Sequence, residues 1–333
     1  MRCKTGGIET VTAWVDNLLL FTDLDESMSK VAADMHGKFD LTNMGEPSKI
    51  VGIEITQDED SVTISQTKYI EAILEREGMR NAHPVKTPCD HKISLIPNRE
   101  GGEGNRSNSY AQLIGSLMYL TTATRPDITF AVYRLAAFTA NLTKAHENAT
   151  KRILQYLAGT KHYGITHRRQ RTDLEGENLF YGYTDAGYGN QEEYRLTSGY
   201  TFISGGGAIT WGSRKQISIA LSSTEAEYVA LSEATREALW LKSLYEELGF
   251  IQRDPILILG DNNGSIAMAK NPQFHKRSKQ IAICWHFVRE KYQEKAIEIF
   301  DVRDPQNTAD ILTKALTPDV HSRHTTGLGL HSA

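Results

Sequence analysis

Apolar positions alternate at the start of the chain and then change period. Residues 10–15 and 18–21 are two β-rich runs separated by Asp16 and Asn17, which suit a tight turn, so a hairpin is predicted. Behind Asp23 and Asp25, Met28, Val31, Ala32, Met35 and Phe39 recur at the spacing of an amphipathic helix. Val51, Ile53 and Ile55 alternate, Asp58, Glu59 and Asp60 turn the chain, and Val62 and Ile64 alternate back. Tyr69, Ile70, Ile73 and Leu74 then resume the helical period, which makes residues 1–80 a small α/β unit. Residues 81–109, rich in Pro, Gly, Asn and charge, read as a linker with one brief apolar stretch at 93–96.

Helical patterns follow over 110–121, from Pro126 and Asp127 onward, and over 149–157, where Ile153, Leu154 and Leu157 form one stripe. This helical region, 110–173, ends in the basic run His167-Arg168-Arg169-Gln170-Arg171, read as a solvated connector. Beyond it, strands are predicted at 179–185, 200–204 and 208–211, with a further β-rich stretch at 217–221. A long helix at 223–248, a short apolar strand at 256–259 and a last strand at 297–302 complete the pattern. Gly205-Gly206-Gly207 lies between two strands and reads as a hairpin turn, since a phosphate cradle needs a helix after it. Residues 317–333 read as a tail.

With 333 residues, two or three domains are expected, and a disulfide-stapled miniature is excluded. A 40% hydrophobic content is too apolar for a disordered chain. Lys+Arg 37 against Asp+Glu 41 leaves a formal charge of -4, so any nucleic-acid contact must rely on local basic patches. Cys3, Cys89 and Cys284 are too far apart for a CxxC pair, and a reducing compartment is expected. No apolar run approaches the roughly 18 residues of a membrane helix, and the first residues lack a signal-peptide core. The expectation is therefore an intracellular chain without a membrane partner.

Four acids sit on apolar faces, where a plain structural role would be costly. The period of two puts Leu179, Tyr181, Tyr183 and Asp185 on one face of a strand. Glu227 heads a helical stripe of Leu231, Ala234, Ala238, Leu241, Tyr245 and Leu248, while Glu225 falls on a mixed, mostly polar side as a first-turn residue. Asp261 directly follows an inner strand, where open α/β sheets build their sites. Asp310 is predicted in the first turn of the last helix, with Ile311, Leu312, Ala315 and Leu316 facing inward. Singly, Asp185 could be a strand-end turn residue, Asp261 an N-cap and Asp310 a dipole complement. Converging together, like charges would resist ionisation unless a cation neutralised them, and oxygen-only ligation favours magnesium or manganese over zinc. Two such ions roughly 3.5–4 Å apart would serve in-line attack of water on a phosphodiester. Acids on the first strand, first helix and fourth strand of such an order also follow the layout of the ribonuclease H fold.

At these residues the sequence resembles the carboxyl-terminal part of the Pol polyprotein of copia-type LTR retrotransposons, over nearly the whole chain. The blocks are Gly182-Tyr183-Thr184-Asp185-Ala186, Gly206-Gly207-Ala208-Ile209-Thr210-Trp211 and Leu221-Ser222-Ser223-Thr224-Glu225-Ala226-Glu227-Tyr228. They continue with Asp261-Asn262, Lys270-Asn271-Pro272, Phe274-His275, His286-Phe287-Val288-Arg289-Glu290 and Ala309-Asp310-Ile311-Leu312-Thr313-Lys314. The resemblance implies an RNase H domain over 174–316, an RNase H-like mixed sheet with flanking helices. Its metal-binding and catalytic acids would be Asp185, Glu227, Asp261 and Asp310, holding a pair of Mg2+ or Mn2+ ions. The substrate implied is an RNA–DNA hybrid whose RNA strand is hydrolysed, with the 2′-hydroxyl as the distinguishing feature.

Upstream, Gly52-Ile53-Glu54-Ile55, Gln66 with Tyr69-Ile70, Gly115-Ser116-Leu117-Met118-Tyr119-Leu120, Thr124-Arg125-Pro126-Asp127 and Lys151-Arg152-Ile153-Leu154 resemble the end of the reverse transcriptase and its connection. This implies a truncated palm remnant at 1–80 and a helical thumb or connection region at 110–173. The family's polymerase motif, aromatic-Val-Asp-Asp, stands here as Trp14-Val15-Asp16-Asn17, so Asp16 is paired with an amide, Asn17. One carboxylate cannot hold two metals, and polymerase activity is not expected from this chain alone. Gln280 and Ala282 stand where the family usually has His and Asp, and Gly187 replaces an acid near Asp185.

A hybrid across the acids needs cations for its phosphates. Arg214 and Lys215, expected in a strand-to-strand loop, and Lys270, Lys276, Arg277 and Lys279 are candidates, with Trp211 and Trp285 as stacking partners; solvated lysines and core tryptophans are the plainer alternative. His286 is expected to be packed. Two functional classes follow: a metal-dependent ribonuclease H, and a noncatalytic nucleic-acid-binding or decayed remnant. The resemblance further implies other Pol or Gag products of the element as partners, with a cytoplasmic, virus-like-particle or nuclear setting.

Overall fold

The computed structural model describes residues 9–22, 25–90, 108–169, 179–187, 196–217, 220, 222–271, 279–303 and 305–332. Strands β1 (Glu9–Trp14) and β2 (Asn17–Thr22) pair antiparallel, with Trp14 opposite Asn17. The tight turn is therefore Val15-Asp16, one residue earlier than expected, with Val15 at φ 53. Helix α1 (Asp25–His36) follows. The alternation around Val51 is not one strand: β3 (Lys49–Ile50) and β4 (Ile53–Gln57) form a hairpin whose turn residues, Val51 and Gly52, both have positive φ. Strand β5 (Ser61–Ser65) returns beyond the acidic turn, where Asp58 Oδ1 accepts from the Ser61 amide at 2.6 Å, and α2 (Thr67–Arg76) buries Ile70, Ile73 and Leu74.

Helices α3 (Asn108–Ala123), α4 (Thr129–Ala136) and α5 (Lys144–Gly159) pack on α2 around Leu117, Leu120, Ile128, Val132, Ile153 and Leu157. Pro126 opens a 3-10 turn, Pro126–Ile128, ahead of α4, as a residue lacking an N–H should. The basic run after α5 is not a connector as far as Arg169: Tyr163–Arg168 is strand β6, paired with β5, and the Arg169 amide donates to the Asp60 carbonyl at 2.8 Å.

The second sheet contains β7 (Tyr181–Gly187), β8 (Thr197–Ser204) and β9 (Gly207–Lys215), an antiparallel meander. Gly205 and Gly206, both at positive φ, make the expected hairpin turn between β8 and β9. Of the β-rich stretch at 217–221, Ile217 is outside any strand and residues 218, 219 and 221 lie outside the described residues. The long helix α6 (Ser223–Glu247) is capped by Ser222, whose hydroxyl accepts from the Glu225 amide at 3.2 Å. Then come β10 (Ile256–Gly260), α7 (Asn263–Lys270), α8 (Lys279–Gln293) and β11 (Ile297–Asp301). β10 runs parallel to both β7 and β11, giving the order β11-β10-β7-β8-β9. This mixed sheet with flanking helices is the RNase H-like arrangement expected for the second half of the chain.

Its two faces are covered differently. Phe180, Phe202, Ile258 and Ile299 pack with Tyr228, Leu231, Ala234 and Ala238 of α6. On the opposite face, Ile203 and Ala208 pack with Ile311 and Leu312 of a second 3-10 turn, Thr308–Leu312, and with Ile165, Leu328 and Leu330. Residues expected as a tail thus form α9 (Pro318–Gly327) and β12 (Leu330–Ser332), and β12 closes the order β12-β6-β5-β4-β3 in the other sheet. Burial of Leu328 and Leu330 is the physical reason this segment does not hang free. Among the described residues no helix is long and apolar enough to cross a membrane.

Candidate metal centre

Pleating puts Tyr181, Tyr183 and Asp185 of β7 on the face covered by the second 3-10 turn, while Gly182 packs on Phe202 toward α6. Leu179, expected in the same row, precedes the strand and packs with the α6 cluster instead. Asp261 follows the end of β10, and the neighbouring Asn262 supplies the helix cap, its Oδ1 accepting from the Ser265 amide at 2.9 Å. Asp261 is thus not the N-cap.

Asp310 sits in the five-residue 3-10 turn rather than in the last helix, which is α9. Asn307 holds that turn in place: its Oδ1 accepts from the Ala309 amide at 3.2 Å and its Nδ2 donates to the Thr184 carbonyl at 2.9 Å. One carboxylate oxygen from each of Asp185, Asp261 and Asp310 lies within 4.8 Å of the others. Glu227 reaches the same strand end from α6, where its Oε2 accepts from the Ala186 amide at 3.0 Å. It is not one of the three oxygens within that distance. Glu225, read as lying on a polar side, is also buried, because the first turn of α6 docks against the sheet end.

Burial and mutual repulsion mark the charges. Glu227 is pushed up to about 9 by burial and then by Asp185 and Asp261. Asp310 rises to about 7 through burial and Asp185, with Lys314 opposing. Such a set needs positive charge, and the chain supplies one that the acid pattern alone did not flag. Lys314 Nζ lies 2.9 Å from Asp310 Oδ1 and 3.8 Å from Asp185 Oδ2. Burial lowers the affinity of this ammonium for its proton, but Asp185 and Asp310 more than reverse the effect and raise it above its ordinary range. Thr313 Oγ1 donates to Asp185 Oδ2. The signal for Lys314 was present in sequence as a Lys four residues after Asp310, the spacing at which helical side chains meet. Three hard oxygen donors at this spacing, two of them almost fully buried, are compatible with a divalent cation of the magnesium type.

The basic candidates divide. Arg214 and Lys215 are exposed, but they end β9 rather than occupying a loop. The register aligns Arg214 with Ser198 and Ala186, and Lys215 with Thr197 and Gly187. Lys215 therefore shares the pleat face of Asp185, two strands away, and Arg214 points to the α6 face. Lys270 ends α7, with its ammonium 5.6 Å from the Phe300 ring centre. Lys279 opens α8, whereas Lys276 and Arg277 lie outside the described residues. Trp211 and Trp285 are packing residues: the Trp211 Nε1 donates to the Thr121 carbonyl at 2.6 Å, and Trp285 is buried edge-on to Tyr228. His286, expected to be packed, is exposed on α8 because its neighbours Trp285 and Val288 take the inner side. Asp16 and Asn17 sit on the exposed β1–β2 hairpin. The glycine at 187 has a steric reason: a Cβ there would meet the Thr313 carbonyl oxygen at 2.5 Å.

Residues 1–91 match the family model described as reverse transcriptase (RNA-dependent DNA polymerase). The chain is 34% identical over 327 residues to the retrovirus-related Pol polyprotein from transposon TNT 1-94 of Nicotiana tabacum, covering 96% of this chain and 24% of that protein. It is also 34% identical over 320 residues to the corresponding polyprotein from transposon RE1 of Arabidopsis thaliana, covering 95% of this chain and 21% of that one. The chain thus spans about a quarter or less of the length of these relatives. A solved foamy viral protease-reverse transcriptase in complex with double-stranded DNA aligns at a TM-score of 0.46 and 12% identity, over 88% of this chain and 46% of that one. With the sequence likeness extending across both sheets and the acid cluster, the chain belongs to the copia-type retrotransposon Pol family and corresponds to a segment of that polyprotein.

Proposed function

We propose that this Pol segment is a ribonuclease H that hydrolyses the RNA strand of RNA–DNA hybrids with two divalent ions, Mg2+ or Mn2+. The observation that carries the reading is the convergence of Asp185, Asp261 and Asp310 within 4.8 Å at the end of the mixed sheet, with Glu227 against the same strand. The ions, when bound, would lower the pKa of the attacking water and stabilise the departing oxygen. The chain's own part is to hold the four carboxylates in place from β7, α6, β10 and the 3-10 turn, and to meet the hybrid's phosphates with cations such as Lys215. In the reaction the water oxygen would bond to phosphorus and give up a proton to solvent, while the bond from phosphorus to the bridging ester oxygen breaks on the opposite side and that oxygen takes up a proton from solvent.

Purified protein incubated with labelled hybrid and magnesium should cleave the RNA strand and leave single-stranded RNA and duplex DNA intact, whereas Asp261→Asn should not cleave. Equal inertness of the two proteins would remove the enzymatic reading. The noncatalytic alternative is favoured by the hairpin, where Asp16 has Asn17 beside it. It predicts hybrid binding in a gel-shift measurement without cleavage. No nucleotide incorporation is expected in primer extension.

A further inference from the structure

The backbone of Lys314 is fixed beside the acids. Its amide donates to the Asp310 carbonyl at 3.1 Å, continuing the turn that carries Asp310, and Thr313 beside it lies against Gly187 of β7 and Gly199 of β8. Glycines make that docking possible: a Cβ at Gly199 would meet Thr313 Cγ2 at 2.5 Å, and one at Gly187 would meet the Thr313 carbonyl. The ammonium so delivered contacts Asp310 Oδ1 at 2.9 Å and approaches Asp185 Oδ2 at 3.8 Å, two carboxylates of the candidate metal centre. A divalent ion bonds carboxylate oxygen at about 2.0–2.1 Å for magnesium, so the ion and the ammonium cannot share Asp310 Oδ1 without close approach of like charges. The Lys314 side chain is 36% exposed while Asp310 is 3% exposed, so only the lysine has solvent to move into.

We infer that Lys314 is a built-in cation that competes with the divalent metal for Asp310 and Asp185, so that metal loading displaces its ammonium from the carboxylates. The inference rests on the divalent-ion reading of the acid cluster. Lys314 acts through the acids and is a positioning residue. It keeps the carboxylates together when no metal is bound and sets how much metal is needed to load the site.

The test is calorimetric titration of the full chain with Mn2+ alone, without nucleic acid, for wild type, Lys314→Met, Lys314→Arg and Asp261→Asn. Lys314→Met should bind at least roughly tenfold more tightly than wild type, the scale on which removing one nearby like charge acts. Lys314→Arg should bind like wild type. A purely structural role would instead loosen the site and weaken binding. Unchanged or weaker binding by Lys314→Met, or equal tightening by Lys314→Arg, would overturn the inference. Circular dichroism checks folding, and Lys314→Gln, which keeps a polar end without charge, takes the place of Lys314→Met if the latter does not fold. Failures of the two readings differ: wild-type binding abolished by Asp261→Asn with no gain in Lys314→Met sinks only the role of Lys314. Absence of binding in every variant sinks the metal centre with it, and binding by Lys314→Met alone supports both.

Discussion

Arg125 and Asp127 form an ion pair at 2.7 Å in which neither side chain has any solvent exposure. The pair is closed by further bonds: Arg125 donates to the Thr160 carbonyl at 2.9 Å, and the Tyr156 hydroxyl donates to Asp127 Oδ2 at 2.7 Å. His321 of α9 reaches the Asp127 carbonyl at 3.3 Å, so this polar knot joins α5 and the turn before α4 to the last helix. Removing one partner leaves the other charge buried and alone, which costs about 3–5 kcal/mol. Asp127→Leu or Arg125→Met should therefore lower the thermal midpoint sharply. The double variant Arg125→Met/Asp127→Leu should recover part of the loss, and strictly additive losses in denaturant melts would contradict the pairing.

Acid should weaken the same junction through His321. Burial holds its imidazole below the ordinary value of 6.5, with Asp127 acting in the opposite sense. The folded state thus prefers the neutral ring, and the unfolded chain binds the extra proton first as pH falls. The stability contributed is fully present above about 6.5 and is lost as pH drops from there toward the depressed folded value. His146 and His167, also lowered chiefly by burial, add to the effect in the same direction. Urea midpoints should fall between neutral pH and pH 5.5, and His321→Gln should flatten that dependence; a slope identical in the variant would count against it.

Thr313 should matter to the chemistry without touching the substrate. Its hydroxyl donates to Asp185, and outer partners of metal-binding carboxylates typically change affinity or activity by about 10–100-fold. Thr313→Val keeps the shape and removes the donor. Hybrid cleavage should then drop roughly tenfold, while the folding midpoint changes little. Wild-type cleavage by the variant would show that the hydroxyl has no such role.

The register separates two adjacent cations. Lys215 shares the face of Asp185, and Arg214 does not. Lys215→Ala should weaken hybrid binding at all sequences and reduce the salt slope by roughly one, while Arg214→Ala should leave the slope unchanged. Equal effects of the two substitutions in salt-titrated binding isotherms would refute the assignment by face.

Much of this protein is written in local periodicity. The alternating runs that became β5 and β7, the stripe of Leu231, Ala234, Ala238 and Leu241 on α6, the Gly205-Gly206 turn and Pro126 at the head of a 3-10 turn each depend on neighbours a few residues away. The acids were legible for the same reason, since a carboxylate on an apolar stripe stands out without knowledge of the fold. What local pattern could not decide was partnership over long separations. The basic run at His167 and Arg168 joins a sheet because β5 pairs with it on one side, while the Arg168 amide donates to the Gly205 carbonyl at 2.7 Å, and residues 317–332 take up structure because Leu328 and Leu330 find a face of the mixed sheet to bury. The site divides along the same line. Residue type and spacing nominated Asp185, Glu227, Asp261 and Asp310, but the convergence of the three aspartates depended on β7 pairing with β10, and the placing of Lys314 beside them on two glycines leaving room for Thr313. That is a matter of backbone approach between distant segments, on which the period of a single segment is silent.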